Sequence, residues 1–296
     1  MKFIFIILFS VLCYSLNSQT FTLTFNPPDT TFKEILNIKK TTLTNDKQEK
    51  EDEIIIESQL KIWKYNDGYE LFITPIKMNS KRNGEPFQNP LFNFLTSIPI
   101  RAILDSQGNM ITVFGYESLI PRAQKELPPE LIDQLILVAN EEAMINKSKA
   151  DWNARISNFA GQNVKIGDYF TGQGIFPIPN GDKLTFFSAI KIADTVIIND
   201  RLYLKIKFKN SSNPNDLIDF LNISQNKLKE LFDDEANKDI SVKIKIYGEG
   251  YRIIDPKTML IYYEINNRTT EIYENVIGDE YTKKTIIESK EYNYKY

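Results

Sequence analysis

Apolar and polar residues alternate along most of this chain, which is the period of strands with one buried face. Thr20-Phe-Thr-Leu-Thr-Phe25 alternates strictly until Pro27-Pro28 ends it. Segments 32–44 and 53–65 read as two further strands, joined by a stretch from Asn45 to Asp52 that is too polar to bury. The Asn66-Asp67-Gly68 turn should fold Tyr69–Met78 back onto the second of them, giving a meander. Asn83-Gly84, Pro86 and Pro90 mark a loop over 80–90, and Leu91 to Ser97 reads as a short helix or apolar plug. Ile98–Leu104 and Asn109–Tyr116 then flank Asp105-Ser106-Gln107-Gly108. With Asp first and Gly last, that tetrapeptide suits a type I turn followed by a left-handed glycine.

The period changes at Pro129, which suits the first turn of a helix because its missing N–H needs no partner there. Leu131, Val138, Ile145, Trp152 and Phe159 recur every seven residues, with Leu135 and Ile156 on a neighbouring stripe, so the spacing predicts a helix over 129–159. Glu142 and Lys149 interrupt the second stripe; one reading pairs them or lets them snorkel at the rim of the core, and the other places them in a ligand cavity. Gly161 ends the helix. Strands resume over 164–178, 183–198 and 201–209, with Asn199-Asp200 as a tight turn, and a second helical insert is expected over 214–236. Further strands follow at 240–254, 259–266, 269–276 and 281–296; the last, Glu291-Tyr-Asn-Tyr-Lys-Tyr296, reads as the edge strand of a sheet. The expected class is α+β: a predominantly antiparallel curved sheet with two helical inserts. Ile103–Ile111 resembles Ile253–Ile261, which raises two similar halves, 30–160 and 161–296, as one organisation of the chain.

Before the first strand, Met1-Lys2 leads into an apolar run from Phe3 to Leu16 and then the small polar Asn17-Ser18-Gln19-Thr20. Roughly fourteen apolar residues suit a signal-peptide core better than a span of about twenty. Residues 1–18 are therefore expected to be a signal peptide and 19–296 an exported domain, periplasmic or extracellular, with no membrane span. Lipid anchoring through Cys13 is the weaker alternative, because Leu12 before it is not small. Cys13 is the single cysteine and there is no histidine. Cleavage near Ser18 would leave no thiol, which removes disulfides and thiolate chemistry. The lack of histidine removes the usual base near neutral pH and the commonest transition-metal ligand. No cofactor and no metal site are expected. The 36 basic and 39 acidic residues are interspersed, net charge −3, and give no nucleic-acid footprint.

The remaining motifs carry little chemistry. Thr171-Gly-Gln-Gly174 and Gly248-Glu-Gly250 lie in strand-like stretches, not before a helix, so bulges or close backbone approaches explain them better than a phosphate loop. Ser58-x-x-Lys61, Ser188-x-x-Lys191 and Ser224-x-x-Lys227 lack the Lys-Thr-Gly partner of penicillin-interacting enzymes. Glu141, Glu142, Asp233, Asp234 and Glu235 fall on expected helix surfaces, where solvation accounts for them. Asp105–Gly108, Gly248-x-Gly250 and the run of long antiparallel strands with inserted helices resemble exported bacterial half-barrel proteins of the lipoprotein-carrier type and related extracytoplasmic domains, over roughly residues 30–290. That resemblance implies a curved sheet wrapping helices around an apolar cavity for acyl chains, and it carries over no binding residue.

The leading expectation is non-catalytic binding of an apolar or amphipathic ligand, such as a lipid, between sheet and helices. Its candidate lining is Phe92, Phe94, Leu135, Val138, Ile145 and Trp152, and ordinary core packing competes for each. A structural or interaction role with a partner protein of the cell envelope is the second reading, and a carboxylate-based hydrolase the third.

Overall fold

The structure, a computed structural model, describes residues 19–138, 141–156, 159–177, 183–212, 242–276 and 280–296. The expected signal segment with Cys13, the insert over 214–236, Ser224 and Asp233–Glu235 lie outside the described residues.

The alternation becomes a run of long strands: β1 (Thr20–Thr22), β2 (Thr30–Thr44), β3 (Lys47–Tyr65), β4 (Gly68–Arg82) and β5 (Glu85–Pro86), then β6 (Ile100–Leu104) and β7 (Met110–Phe114). After the helices come β8 (Asn163–Lys165), β9 (Tyr169–Pro177), β10 (Lys183–Ile198), β11 (Arg201–Ser212), β12 (Val242–Ile254), β13 (Ile261–Val276) and β14 (Glu280–Lys295). Twelve of these form one sheet in the order β7-β6-β4-β3-β2-β14-β13-β12-β11-β10-β9, with β5 beside β4, and every pairing is antiparallel. The sheet is large and curved and does not close into a barrel. No helix among the described residues is long and apolar enough to cross a membrane.

Two expectations need correction. The stretch from Asn45 to Asp52 is not a loop: Asn45 and Asp46 alone turn, both with positive φ, and Lys47 onward is already strand. Polar residues can extend a hairpin that projects into water. The final strand is not at an edge either; β14 lies in the middle of the sheet between β13 and β2. Its charges are neutralised sideways, with Glu288 3.0 Å from Arg268 on β13 and 3.2 Å from Lys290. Such lateral pairing lets an interior strand carry charge.

After a short α1 (Pro90–Thr96) capped by the Asn89 side chain, helix is described over α2 (Leu119–Glu126), α3 (Pro129–Val138) and α4 (Glu141–Arg155). Residues 139–140, at the middle of the expected single helix, are outside the described residues. Glu142 is exposed and Lys149 half-buried, as rim positions should be.

One face of the sheet carries the helices. Leu60, Ile62 and Leu71 on β3 and β4, and Leu204, Ile206 and Ile254 on β11 and β12, are almost wholly buried with Leu119, Leu135, Trp152 and Ile156. Each such side chain contributes about 1.5–3 kcal/mol by leaving water. The segment after residue 19 fastens this layer: Leu23 N–H donates to the Gln162 carbonyl, Gly161 N–H to the Leu23 carbonyl, and Thr24 N–H to the Pro256 carbonyl.

The two hairpins that look alike in sequence share local chemistry. Asp105 accepts from the N–H groups of Gln107 and Asn109, and Asp255 from that of Lys257. The second loop is one residue longer, so the left-handed position falls on Met259 where the first uses Gly108. At Gly108 a Cβ would stand 2.6 Å from the Phe25 ring at φ +82°, so the position needs glycine twice over.

Candidate functional site

The strand ends at one rim of the sheet bring a set of tyrosines together. Tyr203 enters from β11, Tyr262 from β13, and Tyr294 and Tyr296 from the end of β14 and the residue after it. Tyr262 is there because the β12–β13 ladder slips between Ile253 and Ile254, which puts an extra residue into β13 and turns it towards Tyr203, ring centroids 5.4 Å apart. These rings, with Pro28, Thr30 and Leu260, bound an open cleft of about 640 Å³. Arg201 and Lys295 are its cations, and Asp255 is the single carboxylate among the described residues that line it. The Asp255 carboxylate already accepts the Lys257 N–H at 2.8 Å, which ties it to its turn.

Leu260, Tyr294 and Tyr296 are also walls of a second, smaller space of about 50 Å³ beneath α4. Phe32, Leu60, Ile73, Trp152 and Ile156 make it apolar on most sides, and Glu34 and Arg155 make one end polar. Tyr296 Oη closes the boundary by donating to the Ile261 carbonyl at 2.5 Å.

At that polar end the last turn of α4 meets the sheet through buried charge. Arg252 on β12 donates through Nη1 to the carbonyls of Arg155 at 2.6 Å and Ala154 at 3.2 Å. A helix C-terminus leaves its last carbonyls unpaired and partly negative, so a guanidinium satisfies both needs. Arg252 also stands 3.5 Å from Glu264, its in-register neighbour on β13, and 5.1 Å from the Phe208 ring centroid. Arg155 donates to Tyr294 Oη at 3.2 Å and lies 5.0 Å from the Tyr292 ring centroid.

Burial sets the protonation behaviour here. It pushes Tyr294 well above the ordinary phenol value, against the pull of Arg155 and with help from Glu34. It takes Tyr292 up to about 12 and raises Tyr296 and Tyr203 as well, the last with Asp255 adding to the effect. Tyr203, Tyr292, Tyr294 and Tyr296 are therefore neutral hydroxyls throughout the physiological range, able to donate and accept. Burial works to lower Arg155, but Tyr294, Tyr292, Glu264 and Glu34 outweigh it and hold the residue well above its usual value. Burial does lower Arg252, although Glu264 opposes it.

Of the residues expected to line a cavity, Trp152 alone is among the described lining residues, and it borders the smaller space, not the rim cleft. Its indole Nε1 donates to the Gly108 carbonyl at 2.8 Å. Leu135 is fully buried, Phe94 is buried beneath the Arg122 guanidinium, and Ile145 packs half-buried against the core. Phe92 is half-buried in the first turn of α1, where its N–H donates to Asn89. Val138 is the last residue of α3. Arg252, Glu264 and the rim tyrosines were missed. A signal existed for the first two: both stand at positions whose alternation points to the buried face. The tyrosine alternation at 292–296 was visible, but it reads equally as any exposed aromatic strand.

Neither a known protein-family model nor a curated protein matches the chain.

Proposed function

We propose that this protein is a non-catalytic binder of a compact amphipathic acid, held in the tyrosine-lined rim cleft. The observation that carries this reading is the continuity of chemistry across shared walls. A cleft of about 640 Å³, bordered by Arg201 and Lys295, adjoins a small apolar space through Leu260, Tyr294 and Tyr296. Its volume lies in the range of small-molecule sites, roughly 300–1,000 Å³, and few, well-placed polar groups in an aromatic setting are what such sites use. An anionic head would pair with Arg201 and Lys295, and an apolar or aromatic body would lie on the rings of Tyr203, Tyr262 and Tyr294. The inner space is close to the share of one or two water molecules, so it would take a terminal methyl or a short branch and not a whole acyl chain.

A binding role fits the acids present. Hydrolysis by carboxylates needs two of them across a cleft, and Asp255 has no such counterpart among the described lining residues. We propose that binding takes place outside the cytoplasm, on the composition of residues 1–20, and that the sheet acts as a half-barrel around the helices.

Anilinonaphthalene sulfonate, an anionic aromatic amphiphile, tests the reading. Its emission should rise saturably with one site per chain and fall when decanoate below its micellar concentration is added. Leu260→Trp, which fills the shared wall, should remove the response while far-UV circular dichroism stays unchanged. A response that is absent in the wild type, or undiminished in Leu260→Trp, would overturn it.

A further inference from the structure

The interspersed charges of the sequence are sorted by the fold. On β11, Ile206 and Phe208 are buried on the helix-bearing face, so alternation turns Lys205, Lys207 and Lys209 to the outer face. The register then sets Lys191 of β10 directly opposite Lys207, with Tyr169 of β9 opposite Lys191 and Tyr251 of β12 opposite Lys207. One cross-strand row therefore reads Tyr169, Lys191, Lys207, Tyr251. It runs along an open groove of about 690 Å³ that Lys209, Glu249 and Ile265 also line.

Two features of this row ask for an occupant. Like charges directly opposite on a sheet destabilise it, yet no carboxylate among the described residues makes an ion pair with Lys191 or Lys207. Their neighbours are provided for: Lys209 is 3.2 Å from Glu249, and Lys205 lies 4.2 Å from the Tyr251 ring centroid. The helix-bearing face of the same sheet places its charges otherwise, with Asp52 between Arg82 and Lys50 and Glu288 between Arg268 and Lys290. The second feature is the pair of aromatic rings that bracket the lysines. Tyr169 is 63% exposed, so packing within the chain does not account for the ring.

We propose that this row is a docking groove for an acidic polysaccharide, a chain of uronate type. Strands stand about 4.8 Å apart, so the four side chains cover roughly 14 Å and present one group for about each sugar ring. Tyr169 offers a flat face to the C–H surface of a sugar, the two lysines meet carboxylates on the rings that follow, and Tyr251, with Lys205 over its ring, closes the row. Lysine suits this task better than a guanidinium fork, because a flexible point charge can follow a repeating chain without fixed geometry. The groove is on the opposite face of the sheet from the helices and is independent of the rim cleft.

Affinity electrophoresis of the full chain tests this, with polygalacturonate in the gel and neutral dextran as the control. The wild-type protein should be retarded by polygalacturonate and not by dextran, and the retardation should weaken steeply with added salt. Lys191→Glu with Lys207→Glu should lower the affinity by about tenfold or more, as should Lys191→Gln with Lys207→Gln to a smaller extent. Tyr169→Ala should lower it without changing the salt dependence. The single change Lys191→Glu should leave thermal stability equal or higher, because it removes a like-charge pair; loss of binding there is then not loss of fold. Unchanged retardation of the double variants, equal retardation by dextran, or tighter binding of oligothymidylate than of polygalacturonate would each overturn the proposal.

Discussion

Arg252 holds the end of α4 by donating to the carbonyl of Arg155 at 2.6 Å, a contact between residues 97 apart in the chain. It fixes where the helix layer sits on the sheet, and hence how the space under α4 meets the rim cleft. Arg252→Leu should destabilise the protein by about 3–5 kcal/mol, because it takes from buried Glu264 its in-register cation and leaves the helix carbonyls without their donor. Adding Glu264→Leu should recover much of that loss. Urea unfolding followed by circular dichroism measures both, and a double variant no more stable than the single one would refute the pairing.

Gly108 and Trp152 form a second fastening between the β6–β7 turn and α4. Gly108→Ala combines a positive φ with a Cβ 2.6 Å from the Phe25 ring, and should cost about 2–4 kcal/mol. Trp152→Phe keeps an aromatic ring but loses part of the buried indole and the hydrogen bond to the Gly108 carbonyl, and should cost about 2–4 kcal/mol. Thermal unfolding gives the ranking, with Gly84→Ala, whose added Cβ meets nothing within 4 Å, as the milder comparison.

Charge on the interior strand β14 makes the fold acid-sensitive. Burial works to raise the Glu288 pKa, but Lys290 and Arg268 outweigh it and bring the folded value below the ordinary 4.5. The folded state then binds fewer protons than the unfolded one, so the stability this group contributes is fully present above about pH 4.5 and is lost as the pH falls through the lowered value. Asp52, also lowered, behaves the same way below its ordinary 3.8. Glu288→Gln should be less stable than wild type by about 1–3 kcal/mol at pH 7. Its stability should fall less steeply between pH 5 and 3, which is measured by urea unfolding across that range.

What the sequence disclosed and what it hid follow from the range of the physics involved. Alternation and turn chemistry are local, so the hairpin at Asn199-Asp200 and the short helix at Pro90–Thr96 were legible. The place of β14 was not, because its ladders with β13 and β2 decide it, and no local pattern shows that β2, far away in the chain, is a partner. The cluster of Arg155, Arg252, Glu264 and Tyr294 joins three distant segments, and only its charges in the buried phase of β12 and β13 hinted at it. Trp152 was legible as an inward-facing residue because a helix stripe points it there, and it borders the space under α4. The residues of the rim cleft come from strand ends, where periodicity stops being informative. The lysine row was hidden for a related reason: acids and bases that mix evenly along the chain separate once alternate residues go to opposite faces.

The most direct test of the binding account is isothermal titration of the full chain with decanoate below its micellar concentration. The account predicts a single site whose affinity falls by at least about tenfold when Arg201→Glu and Lys295→Glu are combined, and which Leu260→Trp removes. No heat of binding in the wild type, or an affinity indifferent to those three positions, would contradict it.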